Sequence, residues 1–191
     1  MAEILWQPSD EMIQSSNMAR FMRYVNERYN TDFETYDALY QWSVANIPDF
    51  WAALWDFIEV KASVPYAQVI DDVAKMPGAE WFLGTRLNFA ENLLRYRDDR
   101  TALIFWGEDQ VRRRMTYAEL YREVAQIARA LRQSGVTAGD RVVGFIPNMP
   151  QAVGAQQAGP RNGGTRASGE PGLGLKCGLD RVGPLRPTGV V

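Results

Sequence analysis

Apolar residues between Met115 and Val153 recur first every three or four positions and then as an unbroken run. That change of period predicts a helix followed by a buried strand. Thr116 and Glu119 stand at the N-cap and N3 positions of a capping box, where each can satisfy a free backbone N–H of the first turn. Met115 and Leu120 fall at the two positions of a hydrophobic staple. Leu120, Val124, Ile127, Ala128 and Leu131 make one apolar stripe. Glu119 and Glu123 lie near the helix start, Arg129 and Arg132 near its end, as the macrodipole favours. Gly135 suits the left-handed residue after the last turn. Ala138-Gly139-Asp140 predicts a turn, and Arg141 to Ile146 is the short apolar run of a strand covered on both faces. A second helix is expected to start at Asn148, with a proline in its first turn. Its apolar period fails at once, because the chain reads GAQQAGP from Gly154 to Pro160.

Upstream, Met18, Phe21, Met22, Val25 and Tyr29 keep helical spacing, with Ser15 or Ser16 as cap and Asn30 as terminator. Ile4-Leu5-Trp6 before Pro8 predicts an extended anchor. Thr35 opens a helical stretch to about Val44, and Pro48-Asp49 opens another with Phe50, Trp51, Leu54, Trp55 and Ile58 on one broad face. So many aromatic residues on one face predict packing against a larger domain. Val64 to Val73 fits either strand or helix, and Met76-Pro77-Gly78 is a turn. Asn88 and Glu91 repeat the cap pattern, which predicts a helix from Phe89 to about Tyr96. Thr101 to Trp106 is a strand, and Val111 to Met115 returns as its hairpin partner. With the helix at Tyr117 and the strand at Arg141, the strand at Thr101 is expected to make a right-handed β-α-β crossover.

Composition changes the picture at one place. All 22 aromatic residues precede Gly154; the 38 positions from Gly154 to Val191 hold ten of the 16 glycines and four of the ten prolines. That segment carries five basic and two acidic residues and lacks Phe, Trp, Tyr, Ile and Met. It cannot bury enough apolar area to offset its ordering entropy, so disorder is expected there. For the whole chain the net charge is −2, which argues for neither nucleic acid nor an anionic membrane as partner. There is no apolar run of transmembrane length and no signal-peptide pattern, so a cytoplasmic location is expected. The lone Cys177 fits a reducing compartment, and the absence of histidine excludes a Ser-His-Asp or Cys-His centre within these residues. Arg112-Arg113-Arg114 on a short strand reads as a solvated edge that discourages pairing. Gly159 to Thr165 and Gly172 to Lys176 are glycine-rich beside cations. A phosphate cradle needs such glycines between a strand and a capped helix, and the sequence supplies neither around them.

The capped helix followed by GVTAGDRVVGFIPNMPQAV resembles the early α/β unit of the adenylate-forming enzymes, the acyl-CoA synthetases and their relatives. WFLGTRLNFAENLLR (Trp81 to Arg95) resembles the segment leading into their main domain. YDALYQWSVANIPDFWAALWDF (Tyr36 to Phe57) and ILWQPS (Ile4 to Ser9) are more similar to the acetoacetate-activating branch than to the acetate-activating one. The resemblance covers about Ile4 to Val153. It implies an α/β fold: a helical N-terminal segment, 1–95, leading into the first β-α-β unit of an incomplete adenylate-forming domain, 96–153, and then an aberrant tail, 154–191.

The resemblance also implies an ATP-dependent acid–thiol ligase. In that chemistry a carboxylate attacks the α-phosphate of MgATP, pyrophosphate leaves, and the CoA thiol then displaces AMP. The cations and backbone donors this needs come from a phosphate loop ending in lysine, an adenine-binding segment, a ribose-binding aspartate and a lid lysine. None of these motifs matches a residue here, so no catalytic, cofactor-binding or metal-binding residue is assigned. ATP, Mg and CoA are implied for a full-length family enzyme and small-molecule substrates only there. The chain alone reads as inactive and as prone to self-association through its unfinished sheet. An acetyl- or propionyl-CoA synthetase fragment and a non-catalytic partner-binding module are the alternatives. The abrupt loss of pattern at Gly154 reads as a frameshift in a GC-rich gene.

Overall fold

Side-chain caps set the starts of the first three helices. In the computed structural model, which describes residues 5–108, 111–161, 165–169 and 189–190, Ser9 caps α1 (Asp10–Ser15) and Ser16 caps α2 (Asn17–Tyr29). The Ser16 hydroxyl accepts from the Ala19 N–H at 3.1 Å. Asn30 ends α2 in left-handed backbone, a conformation asparagine tolerates. Thr35 caps α3 (Tyr36–Ala45), while α4 (Ile47–Phe57) begins with Pro48 in its first turn, where the missing N–H costs no helical bond. The short α1 has no counterpart in the sequence reading, being six residues with no buried position. Leu5 and Trp6 of the expected anchor are 93% and 70% exposed; Ile4 lies outside the described residues.

The chain divides into two units, Met1–Leu87 and Asn88–Val191. In the first, Phe21, Val25, Leu39 and Ala53 are buried together, and Phe50, Leu54 and Phe57 pack on them. Phe21 meets Phe57 at 5.1 Å and Phe50 at 6.0 Å between ring centroids, both edge-on, the arrangement that aromatic quadrupoles favour. The aromatic face of α4 was expected to need a larger domain. Its described partners lie inside this unit, where two antiparallel strand pairs cover part of the face and leave Trp51 39% and Ile58 46% exposed. They are β1 (Ala62–Val64) with β4 (Arg86–Leu87) and β2 (Gln68–Ile70) with β3 (Trp81–Leu83). Trp55 packs on Phe82 and Tyr66, and Trp51 on Trp81. Of the stretch from Val64 to Val73, left open by sequence, Val64 and Gln68–Ile70 are strand and the rest is loop and turn. Asp71 fastens the β2–β3 connection, accepting from Lys75 and from the backbone N–H of Asp72 and Glu80.

The second unit opens with α5 (Phe89–Leu93), capped by Asn88 and shorter than the expected run to Tyr96. β5 (Thr101–Trp106) and β6 (Arg112–Thr116) form an antiparallel hairpin, and α6 (Tyr117–Gln133) follows directly. The capping box is complete: the Glu119 N–H donates to Thr116 Oγ1 at 3.2 Å, and the Thr116 N–H to Glu119 Oε2 at 2.8 Å. At the far end the Gly135 N–H donates to the Arg132 carbonyl and the Val136 N–H to the Leu131 carbonyl, a Schellman motif with Gly135 at φ +84°. Met115, Leu120, Val124, Ala128, Leu131 and Val136 are buried in one cluster, so the predicted stripe is the core face of α6.

β7 (Arg141–Phe145) lies between β8 (Thr165–Gly169) and β9 (Gly189–Val190), parallel to both, and α7 (Pro150–Arg161) links β7 to β8. Two sequence expectations are corrected here. The strand at Thr101 does not form a crossover with the strand at Arg141, because β6 intervenes as its hairpin partner and feeds α6. The parallel β-α-β unit is β7-α7-β8. Nor does the helix fail at Gly154. A Cβ at Gly154 would stand 3.2 Å from Glu123 Oε1 of α6, so the small residue lets the two helices approach. Ala155 and Ala158 are buried beside it. The helix begins at Pro150 rather than Asn148. The disorder expected from Gly154 onward falls, for 162–164, 170–188 and 191, outside the described residues, as do Cys177 and the glycine-rich Gly172 to Lys176.

Candidate functional site

The chain leaves β7 at the point where neighbours lie on both of its sides, and α7 departs toward one of them. In parallel α/β sheets, ligands favour the crevice at the carboxyl end of such a strand. The connection there is Ile146 to Met149. A cleft of about 380 Å³ runs between it and the hairpin, lined by Leu103, Ile104, Phe105 and Trp106 on one side and by Asn148, Met149, Pro150 and Val153 on the other. The side chains that line it are apolar except for Asn148 and the indole N–H of Trp106, and none is titratable. Pro147 and Pro150 have no backbone N–H, so this opening of a helix is a poor anion cradle.

The arginines of β6 stand on the hairpin's other strand. Arg112, Arg113 and Arg114 are exposed. The Arg112 guanidinium lies 4.6 Å from the centre of the Trp106 ring, and Arg113 approaches Glu123 at 4.0 Å. This is the solvated face that the sequence implied. A smaller depression of about 230 Å³ is lined by Asn88, Ala90, Glu91, Leu94, Arg97 and Tyr121. Arg97 covers the Tyr121 ring at 4.0 Å there, and Asn88 is occupied as the α5 cap. In the first unit an apolar groove of about 280 Å³ runs along α2, α3 and α4, past Met18, Tyr36, Tyr40 and Ser43.

Shifted titration marks caps and turns instead of these clefts. The hydrogen bond from Lys75, with backbone donors from Glu80 and Asp72, holds the Asp71 carboxyl down to about 2. The backbone N–H of Thr116 lowers Glu119, and Arg100 lowers Asp98. Burial raises the Tyr29 and Tyr66 hydroxyls. Among the described residues no group of three His, Cys, Asp or Glu side chains stands close enough to hold a metal ion, and no helix is long and apolar enough to cross a membrane. The lining of the cleft of about 380 Å³, which holds no cation and no carboxylate, does not fit MgATP.

The AMP-binding enzyme family model matches residues 89–175, and the acetyl-coenzyme A synthetase N-terminus model matches 36–93. Two adjoining stretches of the chain are thus similar to adenylate-forming, AMP-binding enzymes. Among these enzymes the chain is similar to the acetoacetyl-CoA synthetases. It is 38% identical to the acetoacetyl-CoA synthetase of Danio rerio over 189 residues and 39% identical to that of Rhizobium meliloti (strain 1021) over 183 residues. These alignments take in 97% and 96% of this chain but only 28% of each relative. The solved acetoacetyl-CoA synthetase of Streptomyces lividans superposes with a TM-score of 0.88 at 40% identity, over 99% of this chain and 30% of that one. The chain thus spans little more than a quarter of the length of the curated relatives it matches. The AMP-binding match also runs past Val153, where the sequence reading ends its resemblance.

Proposed function

We propose that this chain is the N-terminal scaffold of an ATP-dependent acetoacetate–CoA ligase, which converts acetoacetate, ATP and CoA to acetoacetyl-CoA, AMP and pyrophosphate. In this reading it carries none of the reacting groups. The observation that supports it most is the similarity to acetoacetyl-CoA synthetases along nearly the whole chain. ATP, Mg and CoA belong to the full-length enzyme, acetoacetate is the acid rather than acetate or propionate, and the compartment is the cytoplasm. The division is 1–95 for the helical N-terminal part and 96–153 for the start of the AMP-binding domain. A chimera tests this: the Streptomyces lividans enzyme with the part that corresponds to residues 1–153 replaced by those residues of this chain. It should catalyse acetoacetate-dependent ATP–pyrophosphate exchange, whereas the chain alone should give none. Exchange by the chain alone, or a folded chimera without exchange, would refute the proposal.

We also infer that the reading frame changes after Val153, from the shift to glycine, proline and arginine at that point. The coding DNA decides it. Translation displaced by one or two bases after the Val153 codon should give a continuous apolar helix and, further on, a Ser/Thr/Gly-rich loop ending in lysine. Stop codons in both displaced frames would establish 154–191 as written.

A further inference from the structure

The geometry points to the cleft beside β5 as a slot for one extended strand, supplied by the part of an acetoacetyl-CoA synthetase-type chain that lies beyond these residues. This rests on the ligase reading above. Four consecutive residues of β5, Leu103 to Trp106, line the cleft. Successive strand residues face opposite sides of a sheet, so a cleft that touches all four follows the strand's edge.

Among the described residues nothing bonds to the outward backbone groups of that edge. The Gly107 N–H donates to the Val111 carbonyl at 2.7 Å. With the register Phe105↔Arg113 and Leu103↔Met115, the residues that exchange bonds with β6 are therefore Phe105 and Leu103, and the alternate ones, Ile104 and Trp106, point their N–H and C=O away from it. Among the described residues β5 pairs with β6 alone. Ile104 and Trp106 are also 59% and 69% exposed, on a strand that carries no charge.

The lining of the slot selects its occupant. The four residues span about 10 Å, the length of three to four residues of extended chain. Met149, Pro150 and Val153 form the wall facing the edge, so the space suits a lone strand with apolar side chains. A second copy of this hairpin would carry its own β6 into that wall. Pairing through β6 instead would set Arg112, Arg113 and Arg114 against their own copies, which like charge opposes. A ligase of this family holds some seven-tenths of its length beyond the part matched here, and a strand on the same polypeptide docks at high effective concentration.

Amide hydrogen exchange on the chimera and on the chain alone tests this. In the chain alone at low concentration, the Phe105 amide is protected by β6 while those of Ile104 and Trp106 exchange freely. In the chimera, protection at Ile104 and Trp106 should rise by about 100-fold or more. Ile104→Pro removes only an outward N–H, which an edge strand tolerates; in the chimera it should abolish protection at Trp106 and keep it at Phe105. Free exchange at Ile104 and Trp106 in a chimera that retains pyrophosphate exchange overturns the slot and leaves the ligase reading intact. Protection already present in the chain alone, with a dimer in sedimentation, gives the edge to a second copy and overturns it as well. A chimera lacking pyrophosphate exchange counts against the ligase reading, and its amides still report on the slot.

Discussion

Gln157 is only 9% exposed, and nothing among the described residues donates to its side-chain oxygen. It lies three residues beyond Gly154 on α7, with Ala158 fully buried next to it. A buried acceptor left without a donor costs about 1–3 kcal/mol, whereas an apolar group of the same shape costs nothing of the kind. Gln157→Met keeps the length and flexibility of the side chain and removes that oxygen, so it should stabilise the second unit by about 1–2 kcal/mol. For a unit of roughly a hundred residues this is a rise in Tm of about 4–12 °C. Urea titration reads it as a higher midpoint at unchanged slope. Gln156→Met on the exposed side of the same helix is the control, and it should stay within about 0.5 kcal/mol. A loss of 1 kcal/mol or more from Gln157→Met, with the control unchanged, would mean that the oxygen has a donor and that the reasoning is wrong.

The other expectations concern caps and turns. Thr116→Ala removes one half of the capping box and should cost about 1 kcal/mol by chemical denaturation. Gly135→Ala forces a Cβ onto backbone at φ +84° and should cost about 1 kcal/mol, although nothing lies within 4 Å to clash. Asp71 has its folded-state pKa lowered from 3.8 to about 2. Its contribution is therefore complete above about pH 4 and disappears as pH falls through 2, so the acid transition of the first unit should flatten in Asp71→Asn, as followed by tryptophan fluorescence.

Where the chain's local chemistry decides, the sequence was enough. Ser16, Thr35, Asn88 and Thr116 cap the helices they were expected to start, and Asn30 and Gly135 end theirs in left-handed backbone. The stripe on α6 is buried as its period requires. Pairing was less legible, because partners distant in sequence decide it. Within the segment from Val64 to Val73 the strand residues, Val64 and Gln68–Ile70, pair with residues near Arg86 and Trp81, and nothing within the segment selects strand over helix. The crossover was misread for a similar reason: the run from Arg141 to Ile146 says that its faces are covered but not by which neighbours. Its neighbours are β8 and β9, both drawn from the segment that composition had set aside. The candidate cleft was equally hidden, since it depends on an edge left open by β5 and on a wall from Met149 to Val153.

The break at Gly154 brings these threads together, because α7 contains evidence of two kinds. Gly154 fits its place: its missing Cβ lets Glu123 approach, and Ala155 and Ala158 fill the narrow space beside it as larger residues would not. The family match also continues through this helix to residue 175. Gln157 does not fit, since a helix packed on a neighbour keeps apolar residues at its buried positions and this one buries an amide oxygen without a donor. Small residues at a close crossing arise readily from any GC-rich frame, so their fit discriminates weakly between frames. The buried amide oxygen discriminates no better, because Gln151, ahead of the break, buries one without a donor as well. The composition shift is then the one observation for a displaced frame, and relatives that align over 97% and 96% of the chain at 38% and 39% identity weigh against it, because residues read out of frame keep no such similarity.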